Sequence, residues 1–581
     1  MLALAGVAFA IGAVVGAQHS GSPADALAER FVAAWTNGDY ATMYSDIDAA
    51  SQRATSASAF ANAYEEALRT ATATGQQVAG RARSISGGLV SVPVRLRTRL
   101  FGRLSLEFAF KVVEVGGEGA RIEWSRSLAF PGLRSGEQLT RNTTLPRRAT
   151  LLARDGSVLA EGEVAGGSAE ASRSSPLGSV ADAVVGAVGA VPASRRRALE
   201  AQGVPPGATV GVSGLEEALD DRLRGTPGGG LLATSTQSQG RGRVLAYVAP
   251  HPAPAVRSSV SPALQRAAVT ALGGQLGGIV AMQPSTGQIL AVAGIGLDGL
   301  QPPGSTFKMI TLTGVLTAHV ASPHSTFPYA SFATLDGVKL NNANGENCGG
   351  TLELAFAVSC NSVFAPLGAK LGSARLVQTA EALGFNHDPG IVGAAESTLP
   401  GAADIQGELD IGSTAIGQGQ VLATPLEMAT VAATVADDGR RPTPTFLGDA
   451  HTGGTRVMSA TVARTVRQLM IAVVRFGTGT SASIPGVTVA GKTGTAELKT
   501  QCSPSSPEAS SSEQANKEPG SESCQSSGSE ASNTDAWFAA FAPALHPRIV
   551  VCVLLVKDGA GGTTAAPVAR QVLEAGLQAG L

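Results

Sequence analysis

What the sequence lacks first is charge of one sign: 43 Lys and Arg stand against 45 Asp and Glu over 581 residues, a net charge of -2. So even a balance implies no basic face and argues against nucleic acid as a partner. Aromatic residues make up only 4% of the chain, and the Ala, Gly and Val that replace them carry no functional message. Cysteine is scarce too. The five, at 348, 360, 502, 524 and 552, cannot all pair, no Cys/His spacing resembles a zinc site, and the seven histidines are scattered. No Gly-x-Ser-x-Gly elbow occurs anywhere, which weakens an α/β-hydrolase reading. The length excludes a single core, so two to four domains are expected.

What is present begins with an uninterrupted apolar run, Met1 to Ala17, before the first charged residue at Asp25. Residues 1–20 read as a signal-anchor helix at the short end for crossing a bilayer, with the remainder of the chain outside the cytoplasm, where disulfides are permitted. The basic flank of such an anchor is missing, so the true start lies upstream or the flank has been trimmed. A cleaved signal peptide and a buried soluble helix stay open as alternatives.

Next, Leu27, Phe31 and Trp35 recur at helical spacing, Met43 and Tyr44 mark a short second helix, and Phe60, Tyr64 and Leu68 a third. Val92, Val94, Leu96 and Leu100 then alternate with polar residues, Phe101-Gly102 turns the chain, and Leu104, Leu106, Phe108, Phe110 and Val112 alternate again. Three helices therefore cover an antiparallel sheet. Arg148 to Ala160 predicts two short strands about the Asp155-Gly156 turn. Ser213-Gly214-Leu215-Glu216 opens a helix, and the Gly/Ser/Gln-rich residues 226–242 read as a linker. From Val244 a helix near Leu264–Ala268 precedes a hairpin of Gly278–Met282 and Ile289–Val292. Strands at Ala536–Phe541 and Arg548–Val556 and a closing helix at Ala566–Leu577 end the chain. Cys502 to Ser532 is almost wholly Ser, Glu, Pro, Gln and Gly, which reads as a solvated insertion closed by Cys502 and Cys524.

The hairpin leads into Pro302-Pro303-Gly304-Ser305-Thr306-Phe307-Lys308. Of the eight lysines only Lys308 has a serine three residues before it. Pro and Gly at a helix entrance place Ser305 in the first turn of a buried helix, Phe307 to Leu316. Residues three apart share a face, so the Lys308 amine can lie beside the Ser305 hydroxyl, and the helix N-terminus disfavours further positive charge there. To act as a base near neutral pH the amine must fall about 3 units from roughly 10.4, which burial and a neighbouring cation can supply. A serine cap followed by a surface lysine is the bland alternative.

Two more clusters follow in chain order. Ser359-Cys360-Asn361 comes after the apolar helix Leu352–Val358, and offers a hydroxyl to pass a proton and an amide to hold a peptide group; a helix cap would look the same. Lys492-Thr493-Gly494-Thr495 lies on a predicted strand, where the glycine admits close approach and the lysine and threonines suit a carboxylate; singly, it could be a hairpin edge.

In this order and setting the three clusters resemble the serine motifs of penicillin-binding proteins and serine β-lactamases. Ile416-Gly417-Gln418-Gly419-Gln420, Thr424-Pro425 and Asp535-Ala536-Trp537-Phe538 look like the same family. The Arg148–Ala160 stretch is similar to the signature that opens the pedestal of class B penicillin-binding proteins, with Ala149 in place of the family glycine, and the Ser213–Gly225 stretch resembles a pedestal helix. The front of the chain resembles the NTF2-like domain of methicillin-resistance-type members.

The resemblance implies a multidomain α+β chain: anchor 1–20, NTF2-like cone 24–128, pedestal or dimerisation-like region 129–243, and an α/β transpeptidase domain 244–581 with an insertion at 501–533. It implies Ser305 as acylated nucleophile, Lys308 as base, Ser359 as proton relay and Asn361 as holder of the substrate amide. Lys492, Thr493 and Thr495, with Gly494 between, would receive the carboxylate of a D-alanyl-D-alanine stem peptide. Neither metal nor other cofactor is implied. The partners would be peptidoglycan stem peptides, β-lactams and a separate membrane glycan polymerase, and the location the cell membrane. A β-lactamase or D,D-carboxypeptidase with the same serine chemistry, or a non-catalytic scaffold, are the competing functions. The segment Ala293–Gln301 is short for the family.

Overall fold

A computed structural model describes residues 22–85, 88–115, 119–162, 170–171, 173–235, 242–449, 453–497 and 533–581. The expected anchor, the pair Cys502 and Cys524 and nearly all of the expected insertion lie outside them. The chain divides into two units, each assembled from separated stretches. One comprises the chain up to Arg148 with Ala190–Thr209 and Arg224–Ala253; the other comprises Ala149–Gly189, Val210–Leu223 and Pro254–Leu581.

In the first unit, helices α1 (Pro23–Asn37), α2 (Tyr40–Ser45), α3 (Ala49–Ala54) and α4 (Ala57–Thr70) each start on a polar cap: Ser22, Asp39, Asp48 and Ser56. Ser22 and Asp25 form a reciprocal capping box, and Gly38, left-handed at φ 71°, stops α1. Among the described residues four helices, not three, precede the sheet. The extra one, AASQRA, has no apolar spacing to reveal it and exists because Asp48 accepts from the Ser51 amide. Phe31 and Trp35 meet Phe110 and Phe108 of the sheet at 5.3 and 5.0 Å, and Phe31 meets Phe60 and Tyr64 of α4 at 6.5 and 6.4 Å, all edge-on.

That sheet comprises β1 (Ala73–Val78), β2 (Arg83–Ile85), β3 (Leu89–Thr98), β4 (Arg103–Val115) and β5 (Gly119–Glu123), in the order β1-β3-β4-β5 with β2 also on β3. Val90, Val92, Val94 and Leu96 face the helices, as the alternation requires.

A second, three-stranded sheet joins β6 (Glu137–Thr144), β7 (Gly228–Ser235) and β8 (Arg243–Val248), with β7 in the middle. This corrects the linker reading for residues 228–235. Their glycines serve close approach and not freedom: a Cβ on Gly228 would sit 2.0 Å from Pro250 N, and one on Gly229 2.1 Å from Asn142 O. A domain boundary at 243/244 would fall inside β8.

In the second unit, the strands Leu151–Leu152 and Val158–Ala160 flank the Asp155-Gly156 turn. The helix Gly214–Ala218 carries Glu216, fully buried in an ion pair with Arg173 at 2.8 Å. Arg173 also donates to the Ala149 carbonyl at 2.9 Å, binding this region internally. The large sheet runs β10 (Ile289–Gly294), β9 (Gly277–Met282), β13 (Ile549–Leu555), β12 (Thr534–Ala542) and β11 (Ala490–Glu497), all antiparallel, so β11 is an edge. The helices Pro262–Leu272 and Ala565–Gln578 cover it, burying Leu264, Ala268, Val572 and Leu573. After β10, the short connection is pinned where Gln301 and Ala423 exchange two backbone hydrogen bonds at 3.1 and 2.9 Å.

Gly228→Ala should lower the stability of the first unit by about 1–3 kcal/mol or more, because the new methyl has no room in the middle strand. Denaturant unfolding followed by tryptophan fluorescence reads this, two of the three tryptophans lying in that unit. An unchanged midpoint would mean the segment is a loose tether.

Candidate active site

Ser305 sits in a 3-10 turn, Gly304–Phe307, that leads into the helix α5 (Lys308–Thr317). Glycines let this turn lie against its neighbours. Gly304 is left-handed at φ 51°, and a Cβ there would come within 2.7 Å of Thr495 O. A Cβ on Gly494 of β11 would come within 2.6 Å of Pro303 O, and one on Gly417 within 2.0 Å of Gly304 O. The Gly304 amide donates to Gly417 O at 3.0 Å, so the Ile416–Gln420 stretch anchors the Ser305 turn. Ser305 stays partly exposed while Gly304, Thr306, Phe307 and Lys308 are buried. Phe307 packs edge-on against Phe385 at 5.5 Å.

Lys308 is completely buried. Its amine donates to Ser359 O at 2.7 Å, Asn361 Oδ1 at 2.6 Å and Ser359 Oγ at 3.3 Å. The shared helix face allows the amine to lie beside the Ser305 hydroxyl; the hydrogen bonds it makes go to the Ser359–Asn361 cluster. A buried amine has to satisfy several donors, and a carbonyl and an amide oxygen together do this better than one hydroxyl.

Ser359 joins the helix α6 (Leu352–Ala357) to α7 (Asn361–Leu371) in a left-handed conformation, φ 62°. Cys360, between the two Lys308 partners, is disulfide-bonded to Cys348, with Cα atoms 5.9 Å apart. Asn361 also donates to Asn341 O at 2.9 Å.

Lys492 reaches the same hydroxyl from β11. It is wholly buried, and its amine donates to Ser359 Oγ and Thr493 O, both at 2.9 Å. Ser359 Oγ thus lies between two lysine nitrogens. Burial first, and the Lys492 charge second, push Lys308 well below the usual lysine range. Burial lowers Lys492 to about 7. Thr493 pairs its hydroxyl with that of Thr478 at 2.6 Å, and Thr495 Oγ1 accepts from the Gly561 amide at 3.3 Å.

The sequence reading missed three contributors. The Phe364 ring lies 5.7 Å from the Lys308 nitrogen and Phe356 lies 5.5 Å from that of Lys492. Helical spacing could have found both, since Phe364 is three residues past Asn361 and Phe356 three before Ser359. Thr478, in a Gly-Thr-Gly-Thr run, carries no comparable signal. Among the described residues, no group of three or more His, Cys, Asp or Glu gathers where it could hold a metal.

Comparison with known proteins supplies the context. Residues 277–574 match the penicillin binding protein transpeptidase domain, 167–251 the penicillin-binding protein dimerisation domain, and 23–137 the NTF2-like N-terminal transpeptidase domain. The chain is 31% identical over 392 residues to the peptidoglycan D,D-transpeptidase PbpA of Mycolicibacterium smegmatis, covering 56% of this chain and 73% of that protein. The crystal structure of the D,D-transpeptidase domain of a peptidoglycan glycosyltransferase from Eggerthella lenta superposes with a TM-score of 0.55 at 28% identity, covering 74% of this chain and 98% of that one. Penicillin-binding protein A from M. tuberculosis, solved as a ceftriaxone acyl-enzyme complex, superposes with a TM-score of 0.54 at 26% identity over the same shares, 74% and 98%. The chain belongs to the penicillin-binding protein transpeptidase family, among the class B members that carry an NTF2-like N-terminal domain.

Proposed function

We infer that this chain is a peptidoglycan D,D-transpeptidase that cross-links stem peptides through a serine acyl-enzyme and is acylated by β-lactams. One observation carries the reading: a completely buried lysine, one turn after a partly exposed serine, is bonded to a second hydroxyl that a second buried lysine also contacts.

In the first step Ser305 Oγ attacks the carbonyl carbon of the D-alanyl-D-alanine bond and its proton passes to the neutral Lys308 amine. The oxyanion is held by the backbone N–H groups of Ser305 and Thr495, a kind of contact worth roughly 3–4 kcal/mol per donor. The C–N bond then breaks and the departing D-alanine nitrogen takes a proton through Ser359. Asn361 holds the substrate amide, while protonated Lys492, with Thr493 and Thr495 about Gly494, holds the terminal carboxylate. A second peptide's amine attacks the ester, restores the Ser305 hydroxyl and completes the cross-link. A β-lactam follows the first step, but its ring-opened leaving group stays attached, so the ester persists.

We place residues 1–20 in the cell membrane as the anchor, with the catalytic unit outside the cytoplasm. Glycan strands then come from a separate membrane polymerase. Among the described residues no helix is long and apolar enough to cross a membrane.

Labelling with a fluorescent penicillin should mark one residue, Ser305, and Ser305→Ala should abolish it; intact mass and peptide mapping read the result. A label that survives the substitution would overturn the assignment. Lys308→Ala should slow acylation roughly 100-fold or more and Lys492→Ala less, because only the first removes the proton acceptor.

The pH profile is a separate test. Lys308 must be neutral and Lys492 charged, so the mechanism requires Lys308 to lose its proton first, in keeping with burial and the Lys492 charge pushing it well below the usual lysine range. The acylation rate should therefore rise with pH as Lys308 loses its proton, then fall as pH passes about 7, where Lys492 loses its own. Lys492→Arg, which stays charged, should move the falling limb to higher pH even where it lowers the maximum. A falling limb that stays in place in this variant would assign it to some other group.

A further inference from the structure

The helices of the first unit cover one face of the β1–β5 sheet, and the opposite face carries a row of positive charge that the near-neutral balance of the whole chain conceals. Along β3 and just beyond it, Arg95, Arg97 and Arg99 are exposed and alternate with buried Val94, Leu96 and Leu100. Alternation sends Arg95 and Arg97 out on one side, about 7 Å apart along the strand, and Arg99 follows, exposed, in the bend beyond it. In register, Arg97 lies directly opposite Arg103 of β4, and Arg95 opposite Ser105. Like charges facing each other across a sheet destabilise it, so the fold gains nothing from this pair. Among the described residues none of these four arginines has an ion-pair partner. Carboxylates on this face are engaged elsewhere: Glu107 by Arg83 at 3.1 Å and by the Ser91 hydroxyl at 2.9 Å, and Glu123 by Lys111 at 2.7 Å.

The neighbouring strand leaves room beside the row. Gly75 lies opposite Arg97 and Gln77 opposite Arg95, and a side chain added at Gly75 would meet nothing within 4 Å. The gap is a shallow cavity of about 190 Å³, lined by Thr74, Gly75, Gln77, Arg95, Arg97 and Arg103 among others.

We propose that this face binds a linear phosphodiester polymer, laid along β3 with one phosphate seated over Gly75. Guanidinium groups recognise phosphate oxygens bidentately and remain charged at every relevant pH. A row along one strand fits a linear polyanion better than a single ion or a planar lipid surface. The outward residues of β1, β3 and β4 at the cavity include no aromatic ring on which bases could stack, which favours a polymer of polyol phosphates over a nucleic acid.

The test uses the full-length protein and fluorescent poly(glycerol phosphate), with inorganic phosphate and vesicles of phosphatidylglycerol in phosphatidylcholine as comparison probes. Polymer binding should saturate, weaken steeply with added salt, and fall roughly tenfold or more in the triple variant Arg95→Gln, Arg97→Gln, Arg103→Gln. Gly75→Tyr keeps every charge but fills the cavity, and should weaken binding as well. Both variants should keep the wild-type melting temperature or exceed it, and label normally with penicillin. Equal polymer binding by wild type and the triple variant would overturn the proposal. So would binding no tighter per phosphate than inorganic phosphate, which would mean an isolated oxyanion site, or binding to the vesicles alone, which would mean a membrane-facing surface.

Discussion

Two lysine amines buried around one hydroxyl cannot both carry a proton cheaply. At a separation of about 4 Å and an effective dielectric near 20, two like unit charges repel by about 4 kcal/mol, before the cost of removing each from water is counted. Lys308 and Lys492 are both completely buried and both bonded to Ser359 Oγ. The cavity therefore selects one neutral and one charged amine. Lys308, which responds to the Lys492 charge as well as to burial, is the one pushed well below the usual lysine range. Two amines of the same residue type, in one hydrogen-bond network, are thereby made unlike, and only position separates them. The Phe364 and Phe356 rings beneath the amines keep water from screening the pair.

Bringing those lysines together requires three chain segments to approach more closely than side chains allow. Gly304, Gly417 and Gly494 each occupy a point where a Cβ would stand 2.0 to 2.7 Å from a backbone oxygen. They form a seam along which the Ser305 turn is pressed between β11 and the Ile416–Gln420 stretch. Since β11 is the edge of the sheet, its outer side is free to take the turn. Edge position and missing side chains together set where Ser305 stands relative to Thr495. Larger residues would push the Ser305 turn away from Thr495.

Much of this could be read before any coordinates. The Ser305, Ser359 and Lys492 clusters were visible because each couples an unusual residue pair to an apolar element that fixes its direction, and the strands of the large sheet follow from continuous apolar runs. The misses have physical causes. The helix Ala49–Ala54 depends on a cap and not on periodicity. Residues 228–235 have the composition of a linker, yet their glycines create the space that a middle strand needs. The partners of Lys308 depend on what lies opposite in space, which helix geometry at Ser305 cannot supply. The Arg95–Arg103 face was hidden by averaging charge over the chain. The pairing of Cys348 with Cys360 likewise needed three dimensions, because five cysteines leave several choices.

That disulfide acts where backbone conformation and chemistry meet. If α6 and α7 ran on as one helix, the Ser359 carbonyl would accept from the amide four residues later and be lost to Lys308. Instead Ser359 adopts φ 62°, the amides of Val363 and Phe364 turn to Cys360 O, and the Ser359 carbonyl is left to take the lysine at 2.7 Å. A left-handed serine costs on the order of 1–3 kcal/mol, so something must hold it. The Cys348–Cys360 bond fixes the very next residue, the two lysines pull on its oxygens, and Asn361 is bonded to Asn341 O on the far side. The break between the helices is thus what turns a backbone carbonyl and a side-chain hydroxyl toward one amine, and the tether beside it keeps that break in place.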